Sequence, residues 1–125
     1  MEFELNFEKL PDYIFVQTQG EASVSGFDEL LTAIVSSPKW VRGLKQLVDH
    51  RKLESENLTA EDIQAIKCIV EKHAQNLGNG CCAFVVSGPL EFGLVRMYDI
   101  LGGENIHKNV AVFYKIDEAV EWLMD

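Results

Sequence analysis

The first residues of the chain alternate between apolar and charged side chains. In EFELNFE, residues 2–8, three apolar residues share one face and the other face is mostly glutamate. A period of two residues predicts a half-exposed β-strand, and the charged face suits a strand at the edge of a sheet. YIFVQT, residues 13–18, predicts a second strand that ends at Gly20. We expect the two strands to pair as an antiparallel hairpin.

Two segments with apolar residues at helical spacing follow. Ser25 and Asp28 form an S-x-x-D pattern, which predicts that Ser25 caps the first helix, and Pro38 closes that helix. The second helix is expected to begin at Thr59, whose hydroxyl accepts a backbone N–H of the first turn. Its apolar stripe consists of Ile63, Ile66, Val70 and Leu77, with Ile69 beside it.

Three apolar runs predict the remaining strands. Residues 44–49 form a third strand, and residues 109–114 form a fifth. CCAFVV, residues 81–86, lacks alternation, which is typical of a central strand covered on both faces. The glycines in GNG, residues 78–80, predict the turn that precedes it.

Two more helices complete the predicted order. Pro89 suits the first turn of a third helix, which Gly102 and Gly103 end, and Asp117 caps a short final helix. The order β-β-α-β-α-β-α-β-α predicts an α/β fold with a mixed, mostly parallel sheet of 4–5 strands and four helices. Residues 1–125 are expected to form a single domain.

Charge and hydropathy exclude several functional classes. The formal net charge is -9, and such a field repels the phosphates of nucleic acids and of anionic membranes. The N-terminal segment is acidic and alternating, unlike a signal peptide. Because the chain has no apolar run of about 18 residues, we expect no membrane span. These features predict a cytoplasmic protein.

The cysteines show no pattern of a disulfide framework or a zinc site. There are three of them, Cys68, Cys81 and Cys82, and two are adjacent. Cys68 falls within a helical pattern, and the other two enter an apolar strand. We expect all three to be small buried residues.

A search for catalytic motifs finds none that survives its context. The glycines of residues 78–83 match G-x-G-x-x-A, but they follow a helix and open a strand, the reverse of a dinucleotide site. The histidines, His50, His73 and His107, have no second histidine or cysteine at i+2 or i+4. His73 lies near an apolar stripe and is expected to be half-buried and hydrogen-bonded. The sequence therefore predicts no catalytic residue, no metal and no cofactor.

One polar cluster stands where the third strand is expected to end. Asp49 and Arg51 share a face at i, i+2 spacing, and ligand crevices in open parallel sheets form outside the carboxyl ends of strands. Arg96 on the third helix is a candidate neighbour. The alternatives are a small polar crevice, an ion pair with no further function, and an enzyme site that also uses His50. The ion pair is favoured, because a buried carboxylate needs such a partner.

Residues 10–123 resemble the SpoIIAA-like family, small bacterial domains related to STAS domains (anti-sigma-factor antagonists) and more distantly to CRAL-TRIO lipid-transfer domains. The order and spacing of several segments carry the resemblance. They are YIFVQTQGEAS, SSPKWVRGLKQLVDHRKL, NLTAEDI, AFVVSGPLEFGLVRMYDIL and VAVFYKIDEAVEWL.

The resemblance implies a STAS-like fold and a non-enzymatic, regulatory role with protein partners. It also marks a departure. Anti-sigma-factor antagonists carry Asp-Ser-[Ser/Thr]-Gly at the start of the second helix, where a serine is the phosphorylation switch. This chain reads Asn57-Leu58-Thr59-Ala60 there. Only Thr59 keeps a hydroxyl nearby, and its acidic neighbours oppose a phosphate.

A second function stays open beside protein interaction. The kinship to lipid-transfer domains suggests binding of a small molecule or lipid in a pocket, although core packing accounts for the same apolar residues. The candidate lining residues are Phe27, Phe92, Met97, Tyr98 and Trp122. A homodimer is a further alternative, formed through the edge strand over residues 2–8 or an exposed Trp40.

Overall fold

The computed structural model describes residues 1–89 and 110–125. Five strands and three helices lie within these ranges. The strands are β1 (Glu2–Asn6), β2 (Ile14–Glu21), β3 (Gln46–Glu54), β4 (Cys82–Val85) and β5 (Val110–Phe113), and the helices are α1 (Val24–Ser36), α2 (Ala60–Leu77) and α3 (Ile116–Met124). The helix predicted over residues 89–101 lies outside the described residues except for its first position.

The described strands form one sheet in the spatial order β1-β2-β3-β4-β5. β1 and β2 pair antiparallel, with Leu5 opposite Val16, and every later pair is parallel. The hairpin, the edge position of β1 and the central position of β4 are therefore confirmed. The α/β class with a mixed, mostly parallel sheet is confirmed as well.

The helices cover both faces of this sheet. α1 and α2 pack on one face, over a core that includes Ile14, Val16, Ile34 and Val48. α3 packs on the other face, where Leu123 joins the strand residues Leu47, Ala83 and Val85. Consecutive residues Leu47 and Val48 thus belong to different cores, as the alternation of a strand requires.

Two predicted strand ends are wrong, and for one reason. β2 continues through Gly20 to Glu21, and β3 continues past Asp49 to Glu54. The extensions pair with each other in parallel, Gly20 with Leu53 and Glu21 with Glu54. Because each strand supplies the other's backbone partners, the pairing overrides the local signals, glycine in one strand and charged residues in the other.

Two predicted helix caps are also wrong by two residues. Ser23, not Ser25, caps α1, and its Oγ accepts the Gly26 backbone N–H at 3.0 Å. Lys115 occupies the N-cap position of α3, so Asp117 lies in the first turn. There the Asp117 carboxylate still stabilises the helix through its favourable interaction with the positive end of the helix dipole.

The GNG turn has the role predicted for it. Gly78 is the C-cap of α2 with φ +80°, a conformation that favours glycine. A Cβ at Gly80 would overlap the backbone of Gly43. The turn therefore lets the end of α2 pass close to the segment that leads into β3.

Two predictions about exposure are corrected by the structure. Cys68 is exposed on α2, whereas Cys81 and Cys82 are partly buried. Trp40 is half-buried, and its Nε1–H donates to the Asn76 carbonyl oxygen at 2.9 Å. Cys68 is exposed because it lies outside the apolar stripe of α2. Trp40 is half-buried because, from the segment between α1 and β3, it contacts the C-terminal end of α2.

Candidate functional site

The segment Asp49-His50-Arg51 lies within β3, and strand alternation divides its side chains between the two faces of the sheet. Asp49 and Arg51 share one face, and His50 points to the opposite face, toward α1 and α2. The three ionisable residues therefore do not form one cluster. They belong to two separate environments, and each can be considered by itself.

Asp49 and Arg51 form a bidentate ion pair. Arg51 Nε donates to Asp49 Oδ1 and Arg51 Nη2 to Asp49 Oδ2, both at 2.9 Å. The Arg51 backbone N–H also donates to Asp49 Oδ1, at 3.0 Å. Burial alone would raise the pKa of the Asp49 carboxyl, but these hydrogen bonds outweigh it and hold the pKa below its usual range.

The geometry of Asp49 and Arg51 matches the ion-pair alternative for the cluster predicted from the sequence. Both Asp49 oxygens are occupied by Arg51, and the Arg51 side chain is 44% exposed. The third predicted member, Arg96, lies outside the described residues. Asp49 and Arg51 are thus brought together as predicted, within a strand and not at its end.

His50 is buried between aromatic rings on the opposite face. Its ring stacks on Phe84 with centroids 5.5 Å apart and meets the edge of Phe27 at 6.0 Å. Burial lowers the pKa of His50 to about 4, and the attraction of the Asp49 carboxylate offsets this only in part. The imidazole is therefore neutral at pH 7.

The hydrogen bonds of Thr18 fix which His50 nitrogen carries the proton. Thr18 Oγ1 lies 2.6 Å from His50 Nδ1 and 3.3 Å from the Asp49 carbonyl oxygen. The Thr18 hydroxyl has a single proton, and a carbonyl oxygen can only accept, so this proton is donated to the Asp49 carbonyl. Both contacts are satisfied when His50 Nδ1–H donates to Thr18 and Thr18 donates to Asp49. This assignment leaves His50 Nε2 as an acceptor.

A cavity of about 140 Å³ lies on this face, between the sheet and the two helices above it. Its wall is almost entirely hydrocarbon. The lining residues are Val16, Phe27, Leu30, Leu31, Ile34, Gln46, Val48, His50, Leu53, Ser55, Leu58, Ile63, Ile66, Val70, Cys82, Phe84 and Val86. None of them carries a charged side chain, since His50 is neutral at pH 7.

Two other polar side chains on the wall have defined states. Ser55 is only 5% exposed, and its Oγ has no hydrogen-bond partner among the described residues. Burial, together with the neighbouring Cys81, raises the pKa of the Cys82 thiol to about 12, so this group is uncharged. The described wall thus presents the unpaired Ser55 hydroxyl among uncharged, mainly apolar side chains.

Of the pocket residues predicted from the sequence, Phe27 lines this cavity and Trp122 does not. Trp122 packs against Phe113 on the other face of the sheet, at 5.9 Å between ring centroids. Phe92, Met97 and Tyr98 lie outside the described residues. Sequence reasoning missed Ser55, although its i, i+2 spacing from Leu53 was a signal that both share the buried face.

Thr59 and Asp62 form a reciprocal capping box at the start of α2. Thr59 Oγ1 accepts the Asp62 backbone N–H at 3.1 Å, and Asp62 Oδ2 accepts the Thr59 backbone N–H at 3.0 Å. The predicted cap is present, and the carboxylate adds a second bond that the prediction did not include. Thr59 is exposed and follows Leu58, which lines the cavity, but Thr59 itself is not among the described lining residues.

We expect Thr59→Ala to lower the free energy of unfolding by about 1 kcal/mol, because the first turn of α2 loses its side-chain acceptor. Urea denaturation followed by circular dichroism measures the change. Thr59→Ser keeps the hydroxyl and should retain most of the stability. Equal stability of the alanine variant and the wild type would contradict the capping role.

His73 has the hydrogen-bond partner predicted for it but is more deeply buried than the half-buried position expected. It is buried on α2, and its Nε2 lies 3.1 Å from Asp28 Oδ1 on α1. This hydrogen bond, with a contribution from Lys72, lowers the pKa of the Asp28 carboxyl. The contact ties the two helices together above the sheet.

Two searches of the described ranges, residues 1–89 and 110–125, bear on function. No group of three or more His, Cys, Asp or Glu side chains is arranged to hold a metal ion there. No helix in that part of the chain is long and apolar enough to cross a membrane.

Comparison with known proteins identifies the fold. No protein-family model and no curated protein sequence matches the chain. An uncharacterized protein of the DUF3478 family from Shewanella loihica PV-4, with a SpoIIAA-like fold, matches with a TM-score of 0.63 and 17% identity, covering 97% of this chain and 93% of that one.

An anti-sigma factor antagonist from Mycobacterium paratuberculosis matches with a TM-score of 0.61 and 15% identity. That match covers 99% of this chain and 96% of the other. At these identities the likeness is one of fold. The chain therefore has the SpoIIAA-like fold that its sequence segments resemble.

Proposed function

We propose that this domain is a non-catalytic binding module that holds a small, mainly apolar molecule between its sheet and the helices α1 and α2. The observation that carries the proposal is the cavity of about 140 Å³ on that face. Small-molecule sites in proteins are concave and lined mainly by apolar side chains with a few polar groups. The described wall of this cavity has that character.

The size and the wall of the cavity both favour an apolar occupant. An engineered protein cavity of about 150 Å³ with a Leu, Ile and Phe lining stays dry and binds benzene or xenon. The wall described here has the same character, with residues such as Leu30, Ile34 and Phe84. A ligand with about the volume of a benzene ring would restore the contacts that the lining atoms lack.

The polar residues near the cavity support binding more than catalysis. Among the described lining residues, His50 is the one with a titratable nitrogen, and its Nδ1–H is engaged by Thr18. Asp49 is held by Arg51 on the opposite face. Ser55 makes no hydrogen bond to His50, and no pair of carboxylates lines the cavity within the described residues, so the hydrogen-bonded nucleophile and base of a covalent catalyst are not assembled there.

Titration with benzene tests this function. We expect saturable chemical-shift changes in ¹H–¹³C spectra at methyl groups that line the cavity, such as Ile34, Ile63 and Leu53. Methyl groups in the core beneath α3, such as Leu123, should not change. Shifts that are absent, or that grow linearly at all sites alike, would overturn the proposal.

Protein binding is a second candidate function, favoured by an acidic surface at the start of α2. Glu54, Glu56 and Glu61 are exposed there, and the fold is similar to that of an anti-sigma factor antagonist over nearly the full length. We propose that Thr59 acts in this region as a helix cap and not as a phosphorylation switch. A phosphate would displace its capping bond and lie against the Asp62 carboxylate.

Affinity capture from the native host with charge-reversed variants tests this second candidate. A partner of this surface should be recovered by the wild type and lost with the double variant Glu56→Lys/Glu61→Lys. The control Glu118→Lys places the same change on α3, where the residue is exposed. Equal recovery by all three proteins would contradict binding at the acidic surface.

A cytoplasmic location, one domain over residues 1–125 and a homodimer stay predictions.

A further inference from the structure

The described lining of the cavity is neutral but not uniformly apolar. Within residues 1–89 and 110–125 the lining holds no Lys, Arg, Asp or Glu, and the imidazole of His50 is neutral at pH 7. An ionised ligand buried there would lose its hydration without gaining a counter-charge, which is costly. The described part of the wall therefore disfavours a carboxylate, phosphate or ammonium group as the buried part of the occupant.

Ser55 is one of the polar side chains in the described wall. Its side chain is buried, with the residue only 5% exposed, and Oγ has no hydrogen-bond partner among the described residues. An unpaired buried hydroxyl is unfavourable, and such groups in proteins are nearly always satisfied by a partner. Because Ser55 lines the cavity, the group that satisfies it can come from a molecule bound there.

We propose that the cavity selects an uncharged, ring-sized molecule that carries a hydroxyl group, and that Ser55 is the residue that recognises this hydroxyl. A hydroxyl can donate and accept at once, which matches the two roles open to Ser55 Oγ. The cavity volume of about 140 Å³ limits the hydrocarbon part to about one six-membered ring. This inference rests on the proposed binding function, and it adds the ligand's chemical class.

His50 supplies a second polar group on the same wall. With Nδ1–H donated to Thr18, Nε2 is an acceptor. It adds no charge, and its ring is held between Phe84 and Phe27. His50 and Ser55 are thus two uncharged polar residues of an otherwise largely apolar wall, which fits a ligand with a hydroxyl group better than a pure hydrocarbon.

Phenol and benzene form the matched pair of probes for this proposal. The Kd values of both are measured by calorimetry for the wild type, for Ser55→Ala and for the control Ser36→Ala, which makes the same change at an exposed position of α1. We expect the wild type to bind phenol at least as tightly as benzene. In Ser55→Ala the preference for phenol over benzene should fall about tenfold, because the phenol hydroxyl loses its partner.

The outcomes separate the inference from the function on which it rests. If benzene binds but phenol does not, as when a water already satisfies Ser55, the hydroxyl selection is overturned and the apolar function stands. The same conclusion follows if the phenol preference is equal in Ser55→Ala and in Ser36→Ala. If neither molecule binds the wild type, the proposed function fails as well. Benzene binding by Ser55→Ala shows that the variant keeps its fold.

Discussion

Lowering the pH from 7 to 4 is expected to reduce the free energy of unfolding by about 3 kcal/mol through His50 alone. The pKa of His50 is lowered from 6.5 to about 4 in the folded protein, and each unit of pKa difference corresponds to about 1.4 kcal/mol. The unfolded chain binds the proton more tightly, so stability is fully present above pH 6.5 and is lost as the pH falls toward 4. Urea denaturation at several pH values measures this slope.

The variant His50→Asn isolates the contribution. Asparagine offers a polar group near the position of Nδ1, toward Thr18, but does not titrate. Between pH 6.5 and 4, the free energy of unfolding of His50→Asn should fall by about 3 kcal/mol less than that of the wild type. Asp49, whose folded pKa is lowered, loses its contribution only below its unfolded value of 3.8 and so lies outside this window. Equal slopes for the two proteins would contradict a buried, neutral His50.

Filling the cavity from α2 is expected to reduce benzene affinity at least about tenfold. Val70 lines the cavity and is only partly buried. In Val70→Phe the added ring atoms occupy the space that a ligand would take, and they gain contacts with the cavity wall instead of forcing the core apart. Calorimetric titration measures the affinity, and urea denaturation shows whether stability is kept.

Ile69→Phe is the control for this change. Ile69 precedes Val70 on the same helix and is also partly buried, but it does not line the cavity. The control should bind benzene like the wild type. If both variants lose affinity equally, the loss reflects a general disturbance of α2, and if neither does, benzene does not bind in this cavity.

The order of elements could be predicted from the sequence because each depends on a local pattern. The alternation in residues 2–8, the unbroken run at residues 81–86 and the glycine turn between α2 and β4 each indicate their element within a few residues. The ends of β2 and β3 could not be predicted this way. Their last residues pair with each other, so the strand boundary depends on a contact between segments more than thirty residues apart in the chain.

In the site, too, local features could be predicted from the sequence and features that depend on distant segments could not. The Asp49–Arg51 pair follows from i, i+2 spacing, whether or not β3 ends there. The environment of His50 depends on two other elements, Thr18 on β2 and Phe84 on β4, which only the folded sheet brings together. The burial of Ser55 is harder still to predict, since the acidic residues around it in LESEN are typical of an exposed loop. A cavity is a property of how helices sit on a sheet, and no local pattern encodes it.

A crystal structure of the protein pressurised with xenon tests the central claim most directly. The account predicts a xenon peak inside the cavity, bounded by Ile34 and Ile66 from the helices and by Val48 and Phe84 from the sheet. Xenon binds apolar voids without needing a polar group, so the result does not depend on which hydroxyl compound is chosen. A structure without xenon in this cavity, while other sites in the crystal are occupied, would contradict the claim that this face of the sheet binds a small apolar molecule.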